Sequence, residues 1–235
     1  MMARKTKIWL ICALCLILVG SLVFVGGLAS MDFDLTRLSS TQYTTSTYQI
    51  QEPFQKIILD VDLSHVELLP SADNTCKIVS KSAEKITHQY FVKDDTLFIE
   101  ELDARKWQDY IGVNLGSPKV TVYLPVKDYE GITIETDSGD VILKEIYATR
   151  MVVETDIGDV KLSACDGALI SIETDTGDVT GTLRTGKLFR CSSDTGDIHV
   201  PKSEPLGQCE IETDTGDIEI RIAKQSEAAG QTSRF

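Results

Sequence analysis

The sequence of 235 residues holds three histidines and contains no HExxH, GxSxG or phosphate-binding glycine loop. Zincin-type hydrolysis, serine acyl transfer and nucleotide phosphate binding each rely on one of those spacings, so none of them is indicated. His65, His88 and His199 are scattered rather than grouped into a constellation. No acidic residue stands before Asp32, and no charge of either sign interrupts Ile8 to Ala29. Beyond that run no long helical periodicity appears, which leaves strands to build any core. A hydrophobic content of 42% excludes a wholly disordered chain.

The uncharged run is 22 residues long and follows Arg4, Lys5 and Lys7. At ~1.5 Å per residue it reaches about 33 Å, enough to cross a bilayer. A signal peptide cleaved after Gly27, Leu28 and Ala29 is the competing reading, but the run exceeds the usual ~7 to 15 residues of such a segment. The basic flank places the N-terminus in the cytoplasm and the rest outside. Past residue 31 there are 20 basic and 36 acidic residues, a net charge of −16. Nucleic acid is therefore excluded as a partner, and so is electrostatic attachment to anionic lipid unless divalent cations intervene.

Cys12 and Cys15 spell CxxC inside the apolar run, where redox or zinc chemistry is implausible and small helix-packing residues are the better reading. Eight of the twelve residues from Thr36 to Thr47 are Ser or Thr, which reads as an extended stalk with the folded part beginning near Tyr48. From there, short alternating runs such as IILDVDLSHVELLP and KVTVYLP are separated by Asp, Asn, Ser and Pro turns.

A repeat dominates the second half. Gly139, Gly158, Gly177, Gly196 and Gly216 stand 19, 19, 19 and 20 residues apart, within TDSGDV- or TDTGDV-like spellings. Seven residues before each glycine lies an apolar column, Ile132, Met151, Ile170, Phe189 and Cys209, and five before it another, Ile134, Val153, Ile172, Cys191 and Ile211. Val141, Val160, Val179, Ile198 and Ile218 follow two residues after it. Period-two alternation on both sides of the glycine gives two strands per repeat, each with one inward face. One such rung cannot shelter its own edges, so neighbours stack into a continuous core. The expected fold is all-β: a single-stranded-repeat β-solenoid, β-helix-like with about 19 residues per rung, behind an N-terminal β cap and one transmembrane helix.

The expected organisation is a cytoplasmic N-terminus over 1–7, a transmembrane helix over 8–29, a Ser/Thr-rich stalk over 30–47 and a β cap over 48–130. The repeat solenoid then spans 131–222 and a loose tail 223–235. LDVDLSHVEL within the cap reads as a degenerate repeat, with Ser64 and His65 where Gly and Asp stand later. Cys191 and Cys209, sitting in apolar columns, are expected as buried thiols rather than a disulfide or metal pair.

The motif itself first makes corners: an Asp side chain accepting a backbone N–H, and Gly taking positive φ. Stacking sets Asp137, Asp156, Asp175, Asp194 and Asp214 in one column and Asp140, Asp159, Asp178, Asp197 and Asp217 in another. Unit charges ~4.8 Å apart repel by roughly 0.9 kcal/mol in water and about 3.5 kcal/mol at an effective dielectric of 20. Backbone hydrogen bonds, solvation or bound cations must offset this. The first two are expected to suffice, so no cofactor and no metal ligand is assigned. Any calcium affinity would be weak, ~10⁻⁴ to 10⁻³ M.

The TDTGDV and TDSGDV repeats, the stretch KWQDYIGVNLGSPKVTVYLP from Lys106 to Pro125, and MDFDLTRL after a single apolar helix together resemble a bacterial β-strand-repeat family. That family is known as "putative adhesin" or as a domain of unknown function. The resemblance implies an envelope protein with a surface role, some members standing beside cell-envelope stress systems, and it supplies no mechanism. This chain has fewer rungs than longer members and ends without a sortase-type signal, which suits a module held near the membrane.

The function expected is a non-enzymatic, membrane-anchored extracellular module, adhesin-like or accessory to an envelope-stress response, whose partner is an envelope component or a membrane protein. A calcium-responsive surface protein is one alternative. A β-helix glycan-active enzyme is another, disfavoured because nearly every rung repeats the same acid pair instead of building one placed acid and base. Trp107 and Tyr110, flanked by Arg105 and Lys106, form the conspicuous aromatic and basic cluster outside the membrane segment. Packing across the cap and contact with a glycan or partner are both open to them.

Overall fold

The computed structural model describes residues 4–30, 32–33, 41–107, 116–200 and 208–220. It divides into two compact units, residues 1–42 with 107–116 and residues 43–106 with 117–235. In the first, helix α1 spans Arg4–Ser30, and its segment Trp9–Ser30 is long and apolar enough to cross a membrane. Asp32 and Phe33 adopt left-handed φ values of 55° and 57°. There the Phe33 N–H reaches back to the Leu28 carbonyl at 2.9 Å, closing the helix end.

The second unit is a 15-stranded sheet that doubles back on itself as two ladders. The first six strands are β1 (Tyr43–Ile50), β2 (Lys56–Val61), β3 (His65–Pro70), β4 (Cys76–Ala83), β5 (Ile86–Lys93) and β6 (Thr96–Asp103). They are followed by β7 (Lys119–Leu124), β8 (Asp128–Ser138), β9 (Val141–Lys144), β10 (Tyr147–Ile157), β11 (Val160–Thr176) and β12 (Val179–Thr195). The chain's last described strands are β13 (Ile198–Val200), β14 (Gln208–Thr215) and β15 (Ile218–Ile220).

One ladder runs β5-β6-β2-β8-β10 and continues through the second half of β11 and of β12 to β14. The other runs β1-β4-β7-β3-β9 and continues through the first halves of β11 and β12 to β13 and β15. Equivalent residues face each other in parallel register, Ile132 with Met151, Met151 with Ile170, Ile170 with Phe189 and Phe189 with Cys209. Ile132, Ile134, Val141, Leu143, Met151, Val153, Val160, Ile170, Phe189 and Ile198 are fully buried between the ladders. Each contributes on the order of 1.5 to 3 kcal/mol, and no rung could bury them alone. Cys76, Cys165 and Cys191 are buried with them.

Spatial order departs from chain order at the cap. Strands β6 and β7 pair in parallel with β2 and β3, so they form a rung that lies outside the β2–β3 rung although it comes later in the sequence. Antiparallel β5 and β4 then flank that rung, and β1 pairs antiparallel with β4. Alternation alone cannot tell an antiparallel cap strand from a parallel rung, which is why β7 is expected only as part of a cap. The stalk also ends earlier than expected: Thr44 to Thr47 belong to β1 and pair with Ser82 to Val79. The tail 223–235 lies outside the described residues.

Candidate functional site

The repeated motif makes the corner between the two ladders, and its residues have separate tasks. Three before the first four glycines the residue is buried, Thr136, Thr155, Thr174 and Ser193, and Thr213 before Gly216 is half-buried. Thr174 Oγ1 donates to the Gly158 carbonyl, and Ser193 Oγ and Thr213 Oγ1 donate likewise to Gly177 and Gly196, at 3.2 to 3.3 Å. In these three rungs a hydroxyl thus bonds a carbonyl one rung back, whereas Thr136 and Thr155 Oγ1 are buried without a hydrogen-bond partner.

The glycine is required for a reason other than the positive φ expected of it. A Cβ on Gly158, Gly177, Gly196 or Gly216 would lie 2.0–2.3 Å from the carbonyl oxygen of the preceding corner glycine. On Gly139 it would lie 2.5 Å from the Ser64 carbonyl. Gly177, Gly196 and Gly216 do have positive φ, whereas Gly139 and Gly158 do not, so close stacking is the constraint common to all five.

The aspartate after the glycine bonds across rungs rather than within its own turn. The Asp159 N–H donates to Asp140 Oδ1 at 3.1 Å, Asp178 to Asp159 at 2.9 Å, Asp197 to Asp178 at 2.8 Å and Asp217 to Asp197 at 2.9 Å. His65 starts the series: its Nδ1 accepts from the Asp140 N–H at 2.9 Å. Each carboxylate is therefore held by a backbone dipole, which offsets part of the repulsion between neighbours. The other column, Asp137, Asp156, Asp175, Asp194 and Asp214, is exposed. Among the described residues no three carboxylate, imidazole or thiol groups are placed to hold a metal ion.

A second acidic row runs along the outside of the first ladder, pairing Glu100, Asp60, Glu135, Glu154 and Glu173 in turn, then Ser192 and Glu212. His199 on the other ladder pairs with Glu219, Nε2 to Oε2 at 3.2 Å.

The sequence gives little warning of a polar cluster inside the cap. Ser64 Oγ donates to Glu101 Oε2 at 2.6 Å and lies 3.2 Å from His88 Nε2. His88 Nδ1 lies 2.9 Å from Ser80 Oγ and 3.0 Å from Ser82 Oγ. The types are those of a hydrolytic triad, but the arrangement is not. Glu101 meets the serine instead of orienting Nδ1, and the His88 and Glu101 side chains are 0% exposed, so no substrate reaches them. Asp62 nearby is raised above the ordinary carboxylate range by burial and then by Glu101, Asp137, Asp60 and Asp103. Strand parity could have signalled the cluster: Leu97, Ile99 and Glu101 share one face of β6, and Ile86, His88 and Tyr90 one face of β5.

Of the expected contact residues, Trp107 is 71% exposed. Arg105 forks onto Asp103, with Nη2 donating to Oδ2 at 2.6 Å. Tyr110 lies outside the described residues.

The Toastrack DUF4097 family profile matches residues 54–228. No curated protein matches the chain. Among solved structures, a "putative cell adhesion protein" from Clostridium sporogenes is similar at 16% identity and a TM-score of 0.55, over 77% of this chain and 100% of that one. A "putative adhesin" from Bacteroides fragilis is similar at 20% identity and a TM-score of 0.47, over 78% and 99%.

Proposed function

Because the chain belongs to the Toastrack DUF4097 family, we propose that it is a non-enzymatic, adhesin-like module of the bacterial cell envelope, anchored by α1 with its β domain outside. The observation that carries this reading is the use made of the repeated acids. Asp140, Asp159, Asp178 and Asp197 are taken up in joining rungs, and the remaining acids are spread evenly along exposed rows. A glycosidase needs one acid and one base set apart by their surroundings, and a repeated row offers no such distinction.

Anchoring rests on the apolar segment Trp9–Ser30 and on Arg4, Lys5 and Lys7 before it. The name of the Clostridium structural neighbour fits a surface role, and association with envelope-stress signalling extends the same reading. The exposed indole of Trp107 is the proposed point of contact with an envelope component or membrane partner, assisted by Arg105, Lys106 and Tyr110. In intact cells, externally added protease should remove a C-terminal epitope tag, and Trp107→Ala should weaken attachment to envelope preparations without moving the melting temperature. A tag protected until the membrane is permeabilised would overturn the topology, and glycan cleavage by the purified protein would overturn the non-enzymatic reading.

A further inference from the structure

At the capped end of the β domain, on the side away from the glycine corners, three connections border an open pocket of about 370 Å³. They are the link from β1 to β2, the turn before β4 and the turn from β7 to β8. The pocket is lined by one ammonium, Lys127, and one carboxylate, Glu52, and among the described residues neither has an ion-pair partner.

Lys127 is held in place without an anion. Its Nζ donates to the Phe54 carbonyl and sits 5.2 Å above the Phe54 ring and 4.8 Å above that of Tyr129. The two rings stack at 6.1 Å, and the Tyr129 hydroxyl donates to the Pro125 carbonyl at 2.9 Å. Two ring faces and one carbonyl stabilise a cation but do not neutralise it. Beneath it, Cys76 is buried, and burial pushes its thiol up to about 12 against the pull of Lys127, so no thiolate supplies the missing charge.

The pocket's chemistry selects its ligand by elimination. Lys127 attracts an anionic group and Glu52, exposed at the rim, attracts a cationic one, so neither a simple anion nor a simple cation makes use of both. A molecule with both charges uses both ends, and Gln49 and Asn74 also line the pocket. We propose that this pocket binds a small zwitterion, a free amino acid or dipeptide, with its carboxylate on Lys127 and its ammonium on Glu52. The size lies within the range of ordinary small-molecule sites, ~300 to 1,000 Å³. The assignment does not depend on the adhesin-like reading.

The test is calorimetric titration of the full-length protein in detergent micelles with alanylalanine, its N-acetyl form and its C-terminal amide. A saturable heat is expected from the free dipeptide, with at least a ~10-fold loss of affinity on blocking either end. Glu52→Gln should reproduce the effect of the acetyl block. Lys127→Gln should reproduce the amide block, and because Lys127 also clamps two rings, the exposed Glu52 keeps the test valid should that variant fail to fold. Absence of heat at tens of millimolar dipeptide, equal affinity for the blocked forms, or an unaltered affinity in Glu52→Gln would each overturn the proposal.

Discussion

At Gly177 a methyl group would lie 2.0 Å from the Gly158 carbonyl oxygen, and neither backbone can yield without breaking the bond from Gly158 N–H to the Thr176 carbonyl. Gly177→Ala is therefore expected to destabilise the domain by about 3 kcal/mol or more, against less than about 0.5 kcal/mol for the exposed neighbour Thr176→Ala. Paired urea titrations of the two variants check this. One position further on, Asp178→Asn keeps the acceptor that Asp197 N–H uses while removing a charge from the row, whereas Asp178→Ala removes the acceptor. The alanine variant should lose about 1 kcal/mol and the asparagine variant should match or exceed the wild type. Equal losses in both would mean that charge, rather than geometry, is what the column requires. Asp62 behaves in the opposite sense from a salt-bridged acid. Its folded-state pKa is raised, so the folded state binds the proton more tightly than the unfolded chain, and ionisation opposes folding at neutral pH. Asp62→Asn should raise the melting temperature at pH 7, with the gain shrinking as pH falls through the raised folded-state value toward the ordinary aspartate value of 3.8. A gain that persists unchanged in acid would show that burial of the charge is not the cause.

Because each rung repeats the same bonds to its neighbours, the element rather than the residue is the unit of addition. Removing Gly158 to Thr176 joins Ile157 to Gly177, so every inward column and the aspartate series remain continuous. Such a deletion is expected to leave a cooperatively folded, shorter domain, while removing one residue fewer would displace each following side chain to the wrong face. Circular dichroism and the sharpness of thermal unfolding distinguish the two. The same regularity made this half of the fold legible in the sequence: the Ile132 and Ile134 columns are apolar in every rung, and period two leaves one choice of inward face. The degenerate corner at Ser64 and His65 was legible by alignment, and the structure places both against the Gly139 and Asp140 corner. The cap was less legible because its strands are alike in pattern and differ only in direction and spatial order, which long-range pairing decides. Lys127 and Glu52 gave no local signal at all, since single charged residues in turns are ordinary and only the fold brings their loops together.

On the scale of the whole molecule, the outer part's net charge of −16 is concentrated by the fold into rows. Glu100, Asp60, Glu135, Glu154 and Glu173 follow one another at strand spacing, with the exposed Asp137 to Asp214 column two residues further along the same strands. Neighbouring rungs stand ~4.8 Å apart, well inside a Debye length of about 8 Å at physiological ionic strength, so repulsion along these rows is only partly screened. The hydrogen bonds of the aspartate series reduce the burden for one column, and solvent carries it for the others. Stability should therefore rise with ionic strength whatever the salt. A specific calcium effect would instead require carboxylates that converge, and rows on a flat ladder keep neighbours parallel. Thermal unfolding of the full-length protein in sodium, magnesium and calcium chlorides at matched ionic strength is expected to give the same upward shift in all three. A rise of several degrees with calcium alone would show that the rows do act as a cation site, and would make ion-dependent surface assembly the leading account of why the motif is repeated.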